Sequence, residues 1–112
     1  MFASHHKLDN LHLIVDDNGI SMLGHTDHIV AHGNLAARIS AFGWDCIEVD
    51  GHDVYAVQSA LLTQKAESDG KPKALIARTL KGHGVPGLEN APLCHIINPK
   101  PDLIDSLLEQ TR

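Results

Sequence analysis

Three polar, glycine-containing clusters in this sequence have residue types that could form a binding or catalytic site. They are Asp16-Asp17-Asn18-Gly19, Asp50-Gly51-His52-Asp53 and Lys81-Gly82-His83-Gly84. Carboxylate and carboxamide oxygens suit a hard divalent cation such as Mg²⁺, and a lysine suits an anionic oxygen. Glycines let the backbone approach a ligand closely. If the clusters meet in the fold, they fit the binding of a metal-bound phosphate compound.

Each cluster taken alone has a plainer interpretation. Asp-Asp-Asn-Gly is more often a solvated turn than a metal site, and Lys-Gly-His-Gly is a weaker signal still. No strand-like run is followed by G-x-G-x-x-G or by G-x-x-x-x-G-K-[ST]. The sequence therefore gives no support to a Rossmann or P-loop nucleotide site.

Histidines offer a second candidate metal site. His25, His28 and His32 are spaced three and four apart, so on a helix they would share a face and could bind zinc. Gly24 and Gly33 make a helix over this segment doubtful. Solvated histidines are the favoured interpretation.

The elements that would position the clusters are strands alternating with helices. Apolar runs at 11–15, 46–49 and 74–80 have strand length, and each leads into one of the clusters. Helical patterns begin after the capping residues Asn34 and Asp53. The second of these helices has the apolar stripe Val54, Val57, Leu61 and Leu62. Residues 82–100 hold three glycines and three prolines and predict a long loop, and residues 101–110 predict a C-terminal helix.

This alternation predicts an α/β fold, a parallel β-sheet with flanking helices. Ligands of such sheets bind at the carboxyl ends of the strands, so one edge would gather the three clusters if the strands are neighbours. Residues 1–8 are typical of the last turns of a helix without a cap, which suggests that residues 1–112 form one partial domain.

Composition excludes several classes of function. The chain has 112 residues, four aromatic residues and a net charge of -5, which disfavours nucleic-acid binding. No stretch approaches the roughly 18–20 apolar residues of a membrane span, and no signal peptide is recognisable. Cys46 and Cys94 lie far apart in the sequence, so we expect reduced thiols and a cytoplasmic protein.

Several strings in a fixed order resemble the thiamine-diphosphate-binding domain of the transketolase family. They are His6-Lys-Leu-Asp-Asn-Leu11, Asp17-Asn18-Gly19-Ile20, Ala41-Phe-Gly-Trp44, Val49-Asp-Gly-His-Asp53 and Ala77-Arg-Thr-Leu-Lys-Gly-His-Gly84. The resemblance covers about residues 3 to 100. It is closest to the C-terminal half of that domain, as found in the small N-terminal subunit of two-chain transketolases.

The resemblance implies thiamine diphosphate and Mg²⁺ as cofactors and a role in carbohydrate metabolism, in the pentose phosphate pathway. Asn18 and the backbone carbonyl of Ile20 match two ligands of Mg²⁺, with Gly19 between them in the cofactor-binding turn. Lys81 matches a lysine near the cofactor phosphates. His95 matches a histidine that contacts the cofactor or the sugar substrate, although Cys94 stands where the family usually has tryptophan.

The resemblance also implies parts that this sequence lacks. No Gly-Asp-Gly precedes Leu8, although the family takes its first Mg²⁺ ligand from that segment. The pyrimidine-binding domain, with the glutamate that activates the cofactor, is missing as well. We therefore expect a truncated chain or one component of a homo- or hetero-oligomer that acts on sugar phosphates.

Two functions from different classes remain open. The leading one is a component of a transketolase that transfers a two-carbon ketol unit between sugar phosphates. The alternative is a non-catalytic fragment or interaction module of a transketolase-like complex. A related thiamine enzyme, such as a deoxyxylulose-phosphate synthase, is a third possibility, because the sequence does not choose the donor or acceptor.

Overall fold

The computed structural model describes residues 1–91, 96 and 98–111. In chain order its elements are α1 (Phe2–His5), β1 (His12–Asp17), β2 (Ile20–Ser21), β3 (Gly24–His25), α2 (Thr26–Ile29), α3 (Leu35–Ser40), β4 (Asp45–Asp50), α4 (Val54–Ala66), β5 (Lys73–Arg78) and α5 (Pro101–Glu109). Two compact units result, a sheet unit of Met1–Asp17 with Gly33–Thr79 and a loop unit of Asn18–His32 with Leu80–Arg112. No helix in the described ranges has both the length and the apolar character needed to cross a membrane.

The sheet unit is built on three parallel strands in the order β1-β5-β4. The central strand β5 is almost wholly buried, because Ala74, Leu75 and Ile76 are covered on both sides of the strand. Such continuous apolar burial is typical of parallel strands. The predicted α/β fold, with a parallel sheet and flanking helices, is confirmed.

Strand β1 is longer than the apolar run that predicted it. Asp16 and Asp17 belong to the strand and pair in register with Ala77 and Arg78 of β5. The pairing continues beyond the last apolar residue, where Asp17 is paired with Arg78 of β5 and Asp16 accepts from Thr79 directly after β5. The turn therefore begins only at Asn18.

Both predicted N-caps are observed, but the buried face of α4 was predicted correctly only in part. Asp53 accepts hydrogen bonds from the backbone nitrogens of Tyr55 and Ala56, at 2.9 and 3.0 Å. Of the expected apolar stripe, Val57 and Leu61 are half-buried, whereas Val54 and Leu62 are 74% and 60% exposed. The fully buried residues of the helix are Ala60 and Gln64. Gln64 is retained there because its Nε2 donates to the carbonyl oxygen of Ala74, at 3.0 Å.

The capping role of Asn34 has the same geometry. Its Oδ1 accepts from the backbone nitrogen of Ala37, at 2.8 Å, at the start of α3. This short helix ends after Ser40, and Gly43 follows with φ at 84°. That left-handed conformation is why the chain turns sharply there before β4.

The loop unit has little regular structure. Strands β2 and β3 form a two-residue antiparallel hairpin that leads into the single turn of α2. Residues 81–91 run through successive turns, in the predicted loop 82–100. The predicted C-terminal helix occupies Pro101–Glu109, and its apolar residues Leu103, Ile104 and Leu108 are exposed.

Candidate functional site

The carboxyl edge of the sheet is held by an ion-pair network around Arg78. The Arg78 guanidinium forms ion pairs with Asp17 of β1 and with Glu48 of β4, the latter at 3.0 Å. The hydrogen bond to Glu48 raises the pKa of Arg78, which therefore stays charged. Thr79 adds a hydrogen bond from its hydroxyl to Asp16. One cation on the central strand thus joins both outer strands.

The turn after β4 packs closely against the same edge. The backbone nitrogen of Gly51 donates to the carbonyl oxygen of Arg78, at 2.7 Å. A Cβ at position 51 would collide with the Thr79 methyl group and would lie 3.0 Å from the Cβ of Ala77. Glycine is required there because two backbones approach without room for a side chain.

The predicted cofactor turn, Asn18 to Ile20, has a defined geometry in the loop unit. Oδ1 of Asn18 accepts a hydrogen bond from the backbone nitrogen of Ile20, at 3.1 Å. Gly19 between them has a φ of 72°, which only glycine adopts readily. The Gly19 carbonyl accepts from the backbone nitrogen of Thr26, at 2.9 Å, and Ile20 is buried. The turn is therefore fixed on both sides of Gly19.

Lys81 opens a second tightly turned segment in the same unit. Its carbonyl oxygen accepts from the backbone nitrogen of Asn90, at 2.9 Å, which closes the loop. Gly82 has a φ of 78°, and a Cβ there would collide with the carbonyl of Leu88. Glu89 Oε1 accepts from the backbone nitrogen of Gly84, at 3.1 Å. These contacts fix the backbone that carries the Lys81 side chain.

A pocket of about 280 Å³ also lies in the loop unit. It is lined by residues 20–25 and by Asn90. Its walls are mostly apolar, since Met22 and Leu23 form the tip of the hairpin. Ile20, a predicted site residue, forms part of this wall.

Of the five residues predicted for the cofactor site, Asn18, Gly19, Ile20 and Lys81 belong to the loop unit, and His95 lies outside the described residues. Within the described ranges, no group of three His, Cys, Asp or Glu side chains could hold a metal ion. The oxygens of Asn18 and Ile20 are neutral and hard, so they fit two positions around Mg²⁺. These assignments stay predictions.

The histidine segment has no helix long enough to align all three side chains. His25 ends β3 and His28 lies in the four-residue helix α2. Their ring centroids are 5.8 Å apart in an edge-on arrangement. This is an aromatic contact between two side chains.

Sequence reasoning missed the roles of Arg78 and Thr79. Both lie inside a family string, but no role was predicted for them. The available signal was the pair Asp16-Asp17 directly after an apolar run. Carboxylates near the end of a strand are stabilised by a cation or a hydrogen-bond donor opposite them on the neighbouring strand.

Comparison with known proteins gives the family. The model of the family described as "Transketolase, thiamine diphosphate binding domain" matches residues 1–109. Transketolase-like protein 2 of Bos taurus is 42% identical over 99 residues, which cover 84% of this chain and 15% of that protein. An apulose-4-phosphate transketolase subunit of Actinobacillus succinogenes is 34% identical and is matched over 98% of this chain and 39% of its own length.

Solved structures agree with these relatives. Transketolase from Campylobacter jejuni superposes with a TM-score of 0.84 at 32% identity, over 98% of this chain and 17% of that one. A mutant transketolase from Pichia stipitis gives 0.82 at 29% identity, over 97% of this chain and 16% of that one. The chain thus spans well under half the length of the relatives it matches. This chain belongs to the transketolase thiamine-diphosphate-binding domain family.

Proposed function

We propose that the chain is a component of a thiamine-diphosphate-dependent transketolase and contributes part of the Mg²⁺ and diphosphate site. In this role it takes part in moving a two-carbon ketol unit between sugar phosphates. The observation that carries the proposal is the fixed Asn18-Gly19-Ile20 turn, in which Asn18 and Ile20 are joined by a 3.1 Å hydrogen bond. It lies within the segment that matches the family.

The turn brings together the kinds of ligand that Mg²⁺ prefers. Asn18 would ligate through its carboxamide oxygen, which can accept more than one interaction. Ile20 would ligate through its backbone carbonyl. The Gly19 carbonyl already accepts from the backbone nitrogen and the hydroxyl of Thr26. Its two neighbours are therefore the better candidates, and two neutral oxygens leave the cation charge available to a diphosphate.

The other predicted residues would act on the phosphates and on the substrate. Lys81 would offset negative charge that Mg²⁺ leaves on the diphosphate, as a point charge at the start of its closed loop. His95 would contact the cofactor or the sugar. Thiamine diphosphate itself supplies the electron sink for cleaving and forming the carbon–carbon bond.

Two ligands do not complete an octahedral Mg²⁺ site, so further groups must come from elsewhere. We propose that a Gly-Asp-Gly segment and a pyrimidine-binding domain with its catalytic glutamate join this chain in the working complex. Sugar phosphates are its proposed substrates. The relative from Actinobacillus succinogenes is named as one subunit of its enzyme, which supports an enzyme assembled from more than one chain.

The test measures ketol transfer by the working complex, which is purified from the source organism together with this chain. Asn18→Ala should abolish transfer from a ketose phosphate to an aldose phosphate while the complex stays assembled. Asn98→Ala, a change of the same kind at an exposed position in the loop unit, should leave activity intact. Equal activity in the Asn18→Ala complex would instead favour the second candidate, a non-catalytic interaction module.

A further inference from the structure

Strand β1 forms an open edge of the sheet, because β5 pairs with it on one side only. Directly before β1, the carbonyl oxygen of Leu11 accepts from the backbone nitrogen of Lys73, at 2.9 Å. Backbone groups of a paired strand point to alternate sides, so those of His12 and Ile14 face away from β5. No strand of the described sheet unit pairs with them there. This edge therefore offers backbone donors and acceptors to a further strand.

The side chains along this edge are apolar on both faces of the sheet. Leu13 and Ile14 are consecutive, so they point to opposite faces, and they are 39% and 58% exposed. Within the sheet unit β1 packs chiefly against β5, and no helix there makes extensive contact with it. The apolar run 11–15 is typical of a parallel strand that is buried on both faces. Strand β1 therefore has the sequence of an interior strand at an exposed edge.

The opposite edge of the sheet is protected. Strand β4 carries Asp45, Glu48 and Asp50, and helices α3 and α4 pack against it. Charged side chains and covering helices are devices that keep edge strands from pairing with other chains. The apolar part of β1 has neither in the described sheet unit, because its two carboxylates come only at its carboxyl end. This difference marks the β1 edge as the side on which the sheet can continue.

We propose that the open edge of β1 accepts a parallel, mainly aliphatic strand from a partner in the working complex. This inference rests on the proposed function, which requires groups from outside these 112 residues. Backbone hydrogen bonds to His12 and Ile14 fix the added strand, and its aliphatic side chains lie beside Leu13 and Ile14. The relatives offer such sequence, because most of their length lies outside the matched part.

A partner strand fits this edge better than a second copy of the chain does. Parallel strands are joined by crossovers that usually place helices on the faces of the sheet. Such a partner therefore also brings cover for Leu13 and Ile14. A second copy related by a two-fold axis would pair antiparallel, with β1 against β1. Its own β1 is equally bare, so the exposed side chains would stay largely uncovered.

The test compares residue-resolved hydrogen exchange in the isolated chain and in the working complex purified from the source organism. The amides of His12 and Ile14 should exchange about tenfold or more slowly in the complex, because the partner strand accepts from them. The amides of Leu13 and Val15 face β5 instead. They serve as internal controls and should change much less.

A charged side chain on the edge provides the matching variant. Ile14→Lys should weaken the affinity of the chain for the rest of the complex about tenfold or more, measured by sedimentation. Leu62→Lys, the same kind of change at a similarly exposed position on α4, is the control and should assemble as the wild type does. Should Ile14→Lys unfold the chain, the exchange comparison still decides, because it uses no variant.

Unchanged exchange of His12 and Ile14 in the complex, or equal affinity of Ile14→Lys and wild type, would overturn the proposal. So would protection of these amides that appears in the isolated chain as its concentration rises, since it would mean a second copy. Exchange is measured without turnover. Protected amides in a complex that transfers no ketol unit would support the added strand and contradict only the proposed function. An active complex in which both amides stay unprotected would contradict only the added strand.

Discussion

The backbone nitrogen of Ile20 lies 3.1 Å from Oδ1 of Asn18, with Gly19 in a left-handed conformation between them. The side chain and the backbone of one turn are thereby held together before any ligand arrives. Preorganisation of this kind lowers the entropy that binding must overcome. The two proposed Mg²⁺ ligands are therefore positioned by a hydrogen bond and a glycine conformation within three consecutive residues.

Asn18→Ala should remove Mg²⁺-dependent thiamine diphosphate binding and also loosen the turn. The variant loses a cation ligand and the acceptor for the Ile20 amide, a hydrogen bond worth about 1 kcal/mol. Calorimetric titration of cofactor with Mg²⁺ into the chain measures the first effect. The control Asn98→Ala should bind the cofactor as the wild type does. Normal affinity in Asn18→Ala would contradict the assignment of Asn18 as an Mg²⁺ ligand.

Lys73→Met should destabilise the sheet unit, since Lys73 is a fully buried cation. Its ammonium nitrogen lies 2.8 Å from Asp69, 3.2 Å from Glu67 and 3.6 Å from Asp45. Methionine fits the space but leaves these partly exposed carboxylates together without their cation. We expect a loss of about 1–2 kcal/mol, measured by urea unfolding. Lys100→Met, at an exposed position, is the control and should change little.

The same cluster predicts a pH dependence of stability at both extremes. A hydrogen bond from Lys73 lowers the pKa of Asp69 below its ordinary 3.8, so this stabilisation is complete above 3.8 and is lost as the pH falls through the lowered pKa. Burial opposes the charge of Lys73, but hydrogen bonds to Asp69 and Glu67 outweigh it and raise the pKa of Lys73 above 10.5. That contribution is complete below 10.5 and is lost as the pH rises through the raised value.

Thermal unfolding of wild type and Lys73→Met across pH checks this prediction. The difference in stability between the two chains should be constant between pH 3.8 and 10.5, and it should shrink as the pH falls through the lowered pKa of Asp69 or rises through the raised pKa of Lys73. A difference that does not change at low or high pH would show that packing, and not charge, accounts for the role of Lys73.

Gly82→Ala should damage the Lys81 loop more than Gly84→Ala does. Both glycines have a positive φ, 78° and 85°, so alanine is strained by about 1 kcal/mol at either position. Only at Gly82 would the new Cβ meet the carbonyl of Leu88, whereas nothing lies within 4 Å at Gly84. The difference between the melting temperatures of the two variants measures the cost of the contact between the new Cβ and the Leu88 carbonyl. Equal losses would mean that the loop relaxes around the added methyl group.

The sequence predicted the local parts of this fold well and the long-range partners poorly. The three strands and the caps Asn34 and Asp53 follow from short patterns, because apolar runs and capping residues act on their immediate neighbours. The burial of Lys73 could not be predicted from such short local patterns. Its three carboxylate partners come from the start of β4 and from the segment after α4, and only the folded sheet unites them.

The same limit applies to the candidate site. The family strings predict Asn18, Ile20 and Lys81 as site residues by position, but they gave no indication that Arg78 would pair with Asp17 across the sheet. The apolar stripe predicted on α4 was right for Val57 and Leu61, but a small residue and the hydrogen-bonded Gln64 complete its buried face. Periodicity does not distinguish a residue buried for its size from one buried for its hydrogen bonds.

Thermal unfolding of the chain with Mg²⁺ and excess thiamine diphosphate tests the central claim most directly, with cofactor but no metal as the reference. Cofactor at about 100 times its dissociation constant should add roughly 2.7 kcal/mol, a rise of several degrees for a domain of this size. We predict this rise only when Mg²⁺ is present, and none in Asn18→Ala. A cooperative melt that does not move with Mg²⁺ and cofactor would contradict the claim that Asn18, Ile20 and Lys81 hold the Mg²⁺-bound diphosphate in this chain before the remaining groups join.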